Sequence, residues 1–104
     1  MVVVGGGVIG LEMGSVYARL GTEVTVVQHT ERICPFLDIE ISKMFLKTLT
    51  KQGMKFKLNT RFAKGTNNRE KGVDVTLTGA KGDESFTTDI VLLSIGRKPF
   101  TAGL

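Results

Sequence analysis

The sequence predicts an α/β fold, a central parallel sheet with flanking helices joined to a three-stranded antiparallel β-meander. Three observations lead there. A short apolar run ends in glycines and passes into a helical pattern, and the same strand-then-helix alternation follows once more. After Asn59 the periodicity changes to short strands separated by polar turns, and a last apolar run, IVLLSI, closes the series. Alternating strands and helices build parallel sheets, whereas strands joined by tight turns build antiparallel ones.

Residues Met1 to Val4 suit a strand buried on both faces. From about Val8 to Leu20 the pattern is helical, with Ile9, Met13, Val16 and Leu20 on one apolar stripe and Gly10, Gly14 and Ala18 in a row four apart. That row carries almost no side chain, so the helix can press its backbone against a sheet despite the propensity cost of interior glycine. Gly21 follows as a C-terminal cap. Glu23 to Gln28, rich in valine and threonine, reads as the second strand. Past an irregular stretch around Cys34 and Pro35, a second helix runs from about Asp38 to Gln52, with Ile41, Phe45 and Leu49 in line and Gly53 as its stop. Met54, Phe56 and Leu58 alternate with lysines, so a third strand buries one face. Arg61 to Lys64, Val73 to Thr78 and Glu84 to Thr88 form the meander, with TNNREKG and GAKGD as its turns. Ile90 to Ile95 is continuous and apolar, the mark of a strand in the centre of a sheet, and stops at Gly96.

Bulk properties fit one domain over residues 1–104, with 41% hydrophobic residues and no apolar run approaching the ~20 residues of a membrane span. The apolar start meets glycines too early for a signal peptide, so a soluble chain is expected. The net charge of +4 comes from basic residues interleaved with carboxylates. With one tyrosine, no tryptophan and no nucleic-acid motif, it describes a solvated surface rather than a nucleic-acid interface. Cys34 is the only cysteine, which excludes an internal disulfide, a cysteine metal cluster or a paired redox centre within these residues. It lies in a loop without a partner and reads as a bystander.

Chemistry concentrates in the glycine turn. Gly5, Gly7 and Gly10 spell G-x-G-x-x-G between the first strand and the first helix. The first glycine makes the tight turn, the second lets backbone approach a pyrophosphate, and the third permits close helix-on-strand packing. The phosphates then meet free N–H groups at the positive end of the helix dipole. The motif alone is weak evidence; its βαβ setting carries the assignment of a dinucleotide turn. About twenty residues on, the second strand should end in an acid that takes the adenosine ribose hydroxyls. Gln28 stands there. It keeps a carbonyl acceptor but lacks the charge that repels a 2′-phosphate, and His29 and Arg32 lie nearby in sequence.

The segments GGGVIGLEMGSVYARLG, EVTVV, KQGMKFKLNT and LLSIGRKPFTAGL together resemble the NAD-binding domain of the flavin-dependent pyridine nucleotide-disulfide oxidoreductases, in particular their dihydrolipoamide dehydrogenase branch. The likeness covers essentially the whole chain. It implies a Rossmann-like FAD/NAD(P)-binding domain cut from a larger flavoenzyme, in which a dithiol reduces FAD through a cysteine pair and hydride passes from FAD to NAD. It also implies a homodimeric parent serving 2-oxo acid dehydrogenase complexes, in the mitochondrial matrix or the cytoplasm.

Carried onto this sequence, the resemblance gives the loop Gly5, Gly6, Gly7, Val8, Ile9, Gly10, Leu11 and Glu12 the pyrophosphate and the start of the nicotinamide half. Glu12 would point towards the nicotinamide; as a plain helical glutamate it would simply face solvent. Gln28 takes the ribose position, where the family usually has glutamate. Phe62 matches a position beside the adenine, and its periodicity equally suits a core phenylalanine. Gly96 matches a glycine on the nicotinamide side, or is a turn glycine.

No catalytic residue of the family falls within these residues: the FAD-binding half, the cysteine pair and the histidine-glutamate base all lie outside the segments matched. The isolated chain is therefore expected to bind NAD without catalysing hydride transfer, with FAD held mostly elsewhere in the parent. Gln28 and Gly10 give opposed cues on NAD against NADP, since NADPH-using relatives often carry alanine at the third glycine. An NADPH-dependent flavin disulfide reductase and a degenerate, non-catalytic interaction domain remain the alternatives.

Overall fold

The structure is a computed structural model that describes residues 1–104. Four strands form a parallel sheet: β1 (Val2–Val4), β2 (Thr25–Val27), β3 (Lys55–Lys57) and β7 (Val91–Leu93), in the order β3-β2-β1-β7. Helix α1 (Val8–Arg19) connects β1 to β2 and helix α2 (Ile39–Lys51) connects β2 to β3. Strands β4 (Arg61–Asn68), β5 (Gly72–Gly79) and β6 (Gly82–Thr88) form a separate antiparallel sheet. Two successive crossovers moving the same way across a sheet put both helices on one face. The meander covers the other.

Alternation along the strands divides the core accordingly. Val3 and Val26 face the helices and pack with Leu11, Val24, Ile33, Cys34, Leu49 and Met54. Val2, Val4 and Val27 face the meander and pack with Val75 and Leu77. The first helix lies on the sheet through its small residues, as expected: Gly10, Leu11 and Gly14 are its buried positions, and Ala18 packs against the same core. A Cβ on Gly14 would stand 3.1 Å from Met54 Cε and 3.3 Å from Val24 Cγ1, so the helix backbone itself is the contact surface.

That close approach rotates the apolar stripe outward. Ile9, Met13, Val16 and Leu20 are all exposed, Leu20 at 76%. The second helix behaves similarly. Asp38 caps it by accepting from the Glu40 N–H at 2.9 Å, and Leu49 is buried as predicted. Ile41 and Phe45 are exposed, and the inner line is instead Ser42, Leu46 and Leu49. Ser42 is tolerated inside because its hydroxyl donates to the Cys34 carbonyl at 3.1 Å.

Two further expectations are corrected. The last strand is not central: β7 pairs only with β1, and Ile90, Leu93 and Ile95 are exposed. An apolar run states what a segment can bury, but the neighbours that would cover this edge are absent from the sheet. The meander strands are also longer than the sequence suggested, reaching Asn68 and starting again at Gly72 and Gly82, because backbone pairing continues through polar residues once two strands are in register. No helix is long and apolar enough to cross a membrane.

Candidate functional site

The carboxyl ends of β1, β2 and β7 open onto a cavity of about 510 Å³. Open α/β sheets bind ligands at this position because the loops that follow the strands diverge there. From the predicted set, Gly5, Gly7, Gln28, Phe62 and Gly96 line it. So do His29, Pro35, Phe36, Thr60, Arg61, Leu93, Ser94 and Ile95. No aspartate or glutamate is among the lining residues, and His29 and Arg61 are the only basic ones.

The glycine turn combines a close contact, a ladder hydrogen bond and an open helix end. Gly5 has φ +107°, a conformation that disfavours a side chain, and a Cβ there would overlap the Ser94 carbonyl. Its N–H donates to the Val27 carbonyl at 2.9 Å, continuing the β1–β2 ladder into the turn. Gly7 is the N-cap of α1 and has no side chain to cap it; a Cβ there would meet nothing within 4 Å. The first backbone bond of the helix is Leu11 N–H to the Gly7 carbonyl, which leaves the N–H groups of Val8, Ile9 and Gly10 without intrahelical partners. An uncapped helix end beside an open cradle is a site for an anion.

The outer members of the predicted loop divide by burial. Leu11 is sunk in the core, with its N–H committed to the turn. Val8 and Ile9 expose their side chains, so only their backbone N–H groups face the turn. Glu12 is exposed one turn into α1, makes no ion pair and does not line the cavity. Phe62 does two things at once: it packs against the second core and contributes to the cavity wall. Gly96, at φ +127°, ends the apolar run at the β7 side of the opening.

Gln28 is buried, with 4% of its surface exposed, and its amide is used at both ends. Its Oε1 accepts from the Gly6 N–H at 2.7 Å. Its Nε2 donates to Thr30 Oγ1 at 2.8 Å, and lies 3.4 Å from the Arg32 carbonyl. The Gly6 carbonyl in turn accepts from the Cys34 N–H at 2.8 Å. The peptide units around Gly6 are therefore held between the end of β2 and the loop that follows it. Gln28 thus braces the turn through its amide while also lining the cavity.

Sequence reasoning missed Ser94. Its hydroxyl lies 3.0 Å from the Val4 carbonyl and 3.3 Å from the Gly5 carbonyl, tying the end of β7 to the start of the turn. The signal was available, because Ser94 is the one polar residue in IVLLSI. Phe36 and Thr60 gave no such signal, because they reach the cavity through loops whose course the sequence does not dictate; Arg61 reaches it from the first position of β4. Cys34 is buried, and burial raises its thiol above the ordinary value, in keeping with an inert residue.

The whole chain, residues 1–104, matches the family model described as pyridine nucleotide-disulphide oxidoreductase. The chain belongs to that family. It is 50% identical over its full length to dihydrolipoyl dehydrogenase 3 of Pseudomonas aeruginosa, covering 22% of that protein. It is likewise 50% identical over its full length to the mitochondrial dihydrolipoyl dehydrogenase of Pisum sativum, covering 21% of it. The chain thus spans about a fifth of the length of these relatives. Among solved structures, LpdA from Mycobacterium tuberculosis superposes with a TM-score of 0.79 at 32% identity, over 99% of this chain and 22% of that one. The Rossmann-like architecture predicted from the sequence is that of these oxidoreductases. The glycine cradle, the uncapped helix end and the adjoining cavity fit the pyridine nucleotide of the family's name.

Proposed function

We propose that residues 1–104 form the NAD-binding domain of a dihydrolipoyl dehydrogenase, a flavoenzyme that oxidises dihydrolipoamide and passes hydride from FAD to NAD. The observation that carries this reading is the uncapped N-terminus of α1, joined to the glycine turn and opening into the cavity. Identity of 50% to dihydrolipoyl dehydrogenases over the full chain supports the enzyme class.

In this reading the N–H groups of Val8, Ile9 and Gly10 receive the pyrophosphate, aided by the helix dipole. Gly7 leaves the space for that approach. The adenosine lies towards Gln28 and Phe62, and the nicotinamide towards Gly96 with Glu12 at its side. The nucleotide supplies the hydride acceptor when bound; the residues of this chain supply binding and orientation. Gly10 favours NAD, because there is no room for the alanine of NADPH-using relatives: a Cβ would overlap the Gly5 carbonyl. FAD is bound mostly by other parts of the parent. The parent is a homodimer of 2-oxo acid dehydrogenase complexes, in the mitochondrial matrix or the bacterial cytoplasm.

The test is a two-dimensional amide NMR titration of the 104-residue chain with NAD. Shifts centred on Gly5, Gly7 and Gly10, saturating weakly because only the ADP half finds a complete pocket, are the expected result. A folded chain with no response would refute the reading. So would sub-micromolar affinity, for the idea that half the pocket lies elsewhere.

A further inference from the structure

We infer that Thr30 is a positioning residue of the pyrophosphate cradle, although it does not line the cavity. It acts through Gln28, by holding that amide in the one orientation that fixes the Gly6 peptide. The inference rests on the dinucleotide reading above and adds to it a residue outside both the glycine turn and the cavity wall.

A threonine hydroxyl has one proton to give. Thr30 Oγ1 gives it to the Arg32 carbonyl at 2.9 Å, so towards Gln28 Nε2, 2.8 Å away, the same oxygen can only accept. The amide nitrogen is thereby held on the loop side, and Oε1 is left facing Gly6, whose N–H it accepts at 2.7 Å. No other group holds that nitrogen as well, because the Arg32 carbonyl stands 3.4 Å from it, at the weak end of hydrogen-bond distances. Thr30 is itself anchored: its backbone carbonyl accepts from the Asn59 N–H at 2.9 Å. Asn59 has φ +50°, within the link that carries the chain from β3 to β4 across the end of β2.

The far end of this series of bonds is the ligand side of the turn. Gln28 fixes the Gly6 N–H, and the Cys34 N–H fixes the Gly6 carbonyl at 2.8 Å. A trans peptide points its N–H opposite to its carbonyl, so the Gly7 N–H is turned away from the Cys34 loop. Gly7 lines the cavity, and its N–H has no partner within the protein. It is free to join the N–H groups of Val8, Ile9 and Gly10 on a pyrophosphate. Glycines put little steric restraint on the rotation of their peptides, so the hydrogen bonds must supply it. Without the Thr30 hydroxyl, the Gln28 amide can rock, and the Gly6 peptides rock with it.

The experiment titrates ADP-ribose calorimetrically into the 104-residue chain, Thr30→Val and Thr30→Ser, and follows the Gln28 side-chain NH2 and the Gly7 amide by NMR. Valine keeps the shape of this half-buried side chain and removes only its hydroxyl. In Thr30→Val the affinity should fall about three- to tenfold, the equivalent of one neutral hydrogen bond, and both NMR signals should shift before ligand is added. Thr30→Ser, which keeps the hydroxyl, should bind within about twofold of the unmodified chain. Thr30→Ala repeats the measurement should valine crowd the site. A lower melting temperature with unchanged affinity in Thr30→Val would make Thr30 a structural residue only and overturn the inference. Serine binding as weakly as valine would assign the effect to the threonine methyl group and overturn it as well. Both of those results leave the dinucleotide site standing. A folded, unmodified chain that binds no ADP-ribose would remove that site, and this inference with it.

Discussion

Replacing Gly10 by alanine is expected to damage the fold, whereas the same change at Gly7 should spare the fold and damage the site. A Cβ on Gly10 would overlap the Gly5 carbonyl oxygen, stand 2.6 Å from Ser94 Oγ and 3.1 Å from Val3 Cγ1. Carbon contacts settle near 3.5–4 Å, so α1 must retreat from the turn by roughly 1 Å. Overpacking of this kind costs about 1–3 kcal/mol. The better helix propensity of alanine returns at most about 1 kcal/mol, and less in the first turn. The Gly5 carbonyl is backbone and cannot swing aside, and the Ser94 hydroxyl can turn away only by giving up its hydrogen bonds to the Val4 and Gly5 carbonyls. We expect a net loss of about 2 kcal/mol, equivalent to roughly 8–16 °C in melting temperature for a domain of this size. Urea unfolding followed by circular dichroism, with an unchanged denaturant slope, measures it. At Gly7, with φ −85° and nothing within 4 Å, alanine should cost only about 0.5 kcal/mol through poorer capping. Its methyl group would stand where backbone must approach the pyrophosphate, so ADP-ribose affinity should fall by about tenfold or more. Gly10→Ala unfolding at the same urea concentration as the unmodified protein would refute the packing argument.

Three further predictions follow from the same contacts. Gln28→Leu should leave the Gly6 N–H buried without a partner, cost about 1–3 kcal/mol and speed amide exchange at Gly6; unchanged protection there would mean the brace is not what holds the turn. Ser94→Ala should cost about 1 kcal/mol, with faster exchange at Gly5, and a stability equal to the unmodified chain would show the hydroxyl tie to be incidental. Burial raises the Cys34 thiol above its ordinary 9.0, so the unfolded chain releases that proton first. Its contribution is therefore constant below 9.0 and is lost as pH rises through and beyond that value; in Cys34→Ala this part of the alkaline slope should disappear when melting is measured against pH.

The sequence by itself determined the element order, the division between a parallel sheet and a meander, and the glycine turn. Each of these depends on local signals: apolar periods, turn residues and the spacing Gly5, Gly7, Gly10. It also identified the small-residue face of α1, because a row of glycine and alanine has one physical use on a helix against a sheet. It did not determine which way the apolar stripes of α1 and α2 point, since amphipathicity identifies a face without naming the neighbour that covers it. Ile9, Met13 and Ile41 are outward for that reason. Nor did it fix the position of β7, because strand order depends on long-range pairing that no local pattern encodes. At the site, residue type made Gln28 a ribose acceptor; only the tertiary structure revealed that Gly6, Thr30 and Arg32 surround its amide. A buried amide must satisfy its own hydrogen bonds before it can serve a ligand, and that requirement is set by what the fold brings beside it.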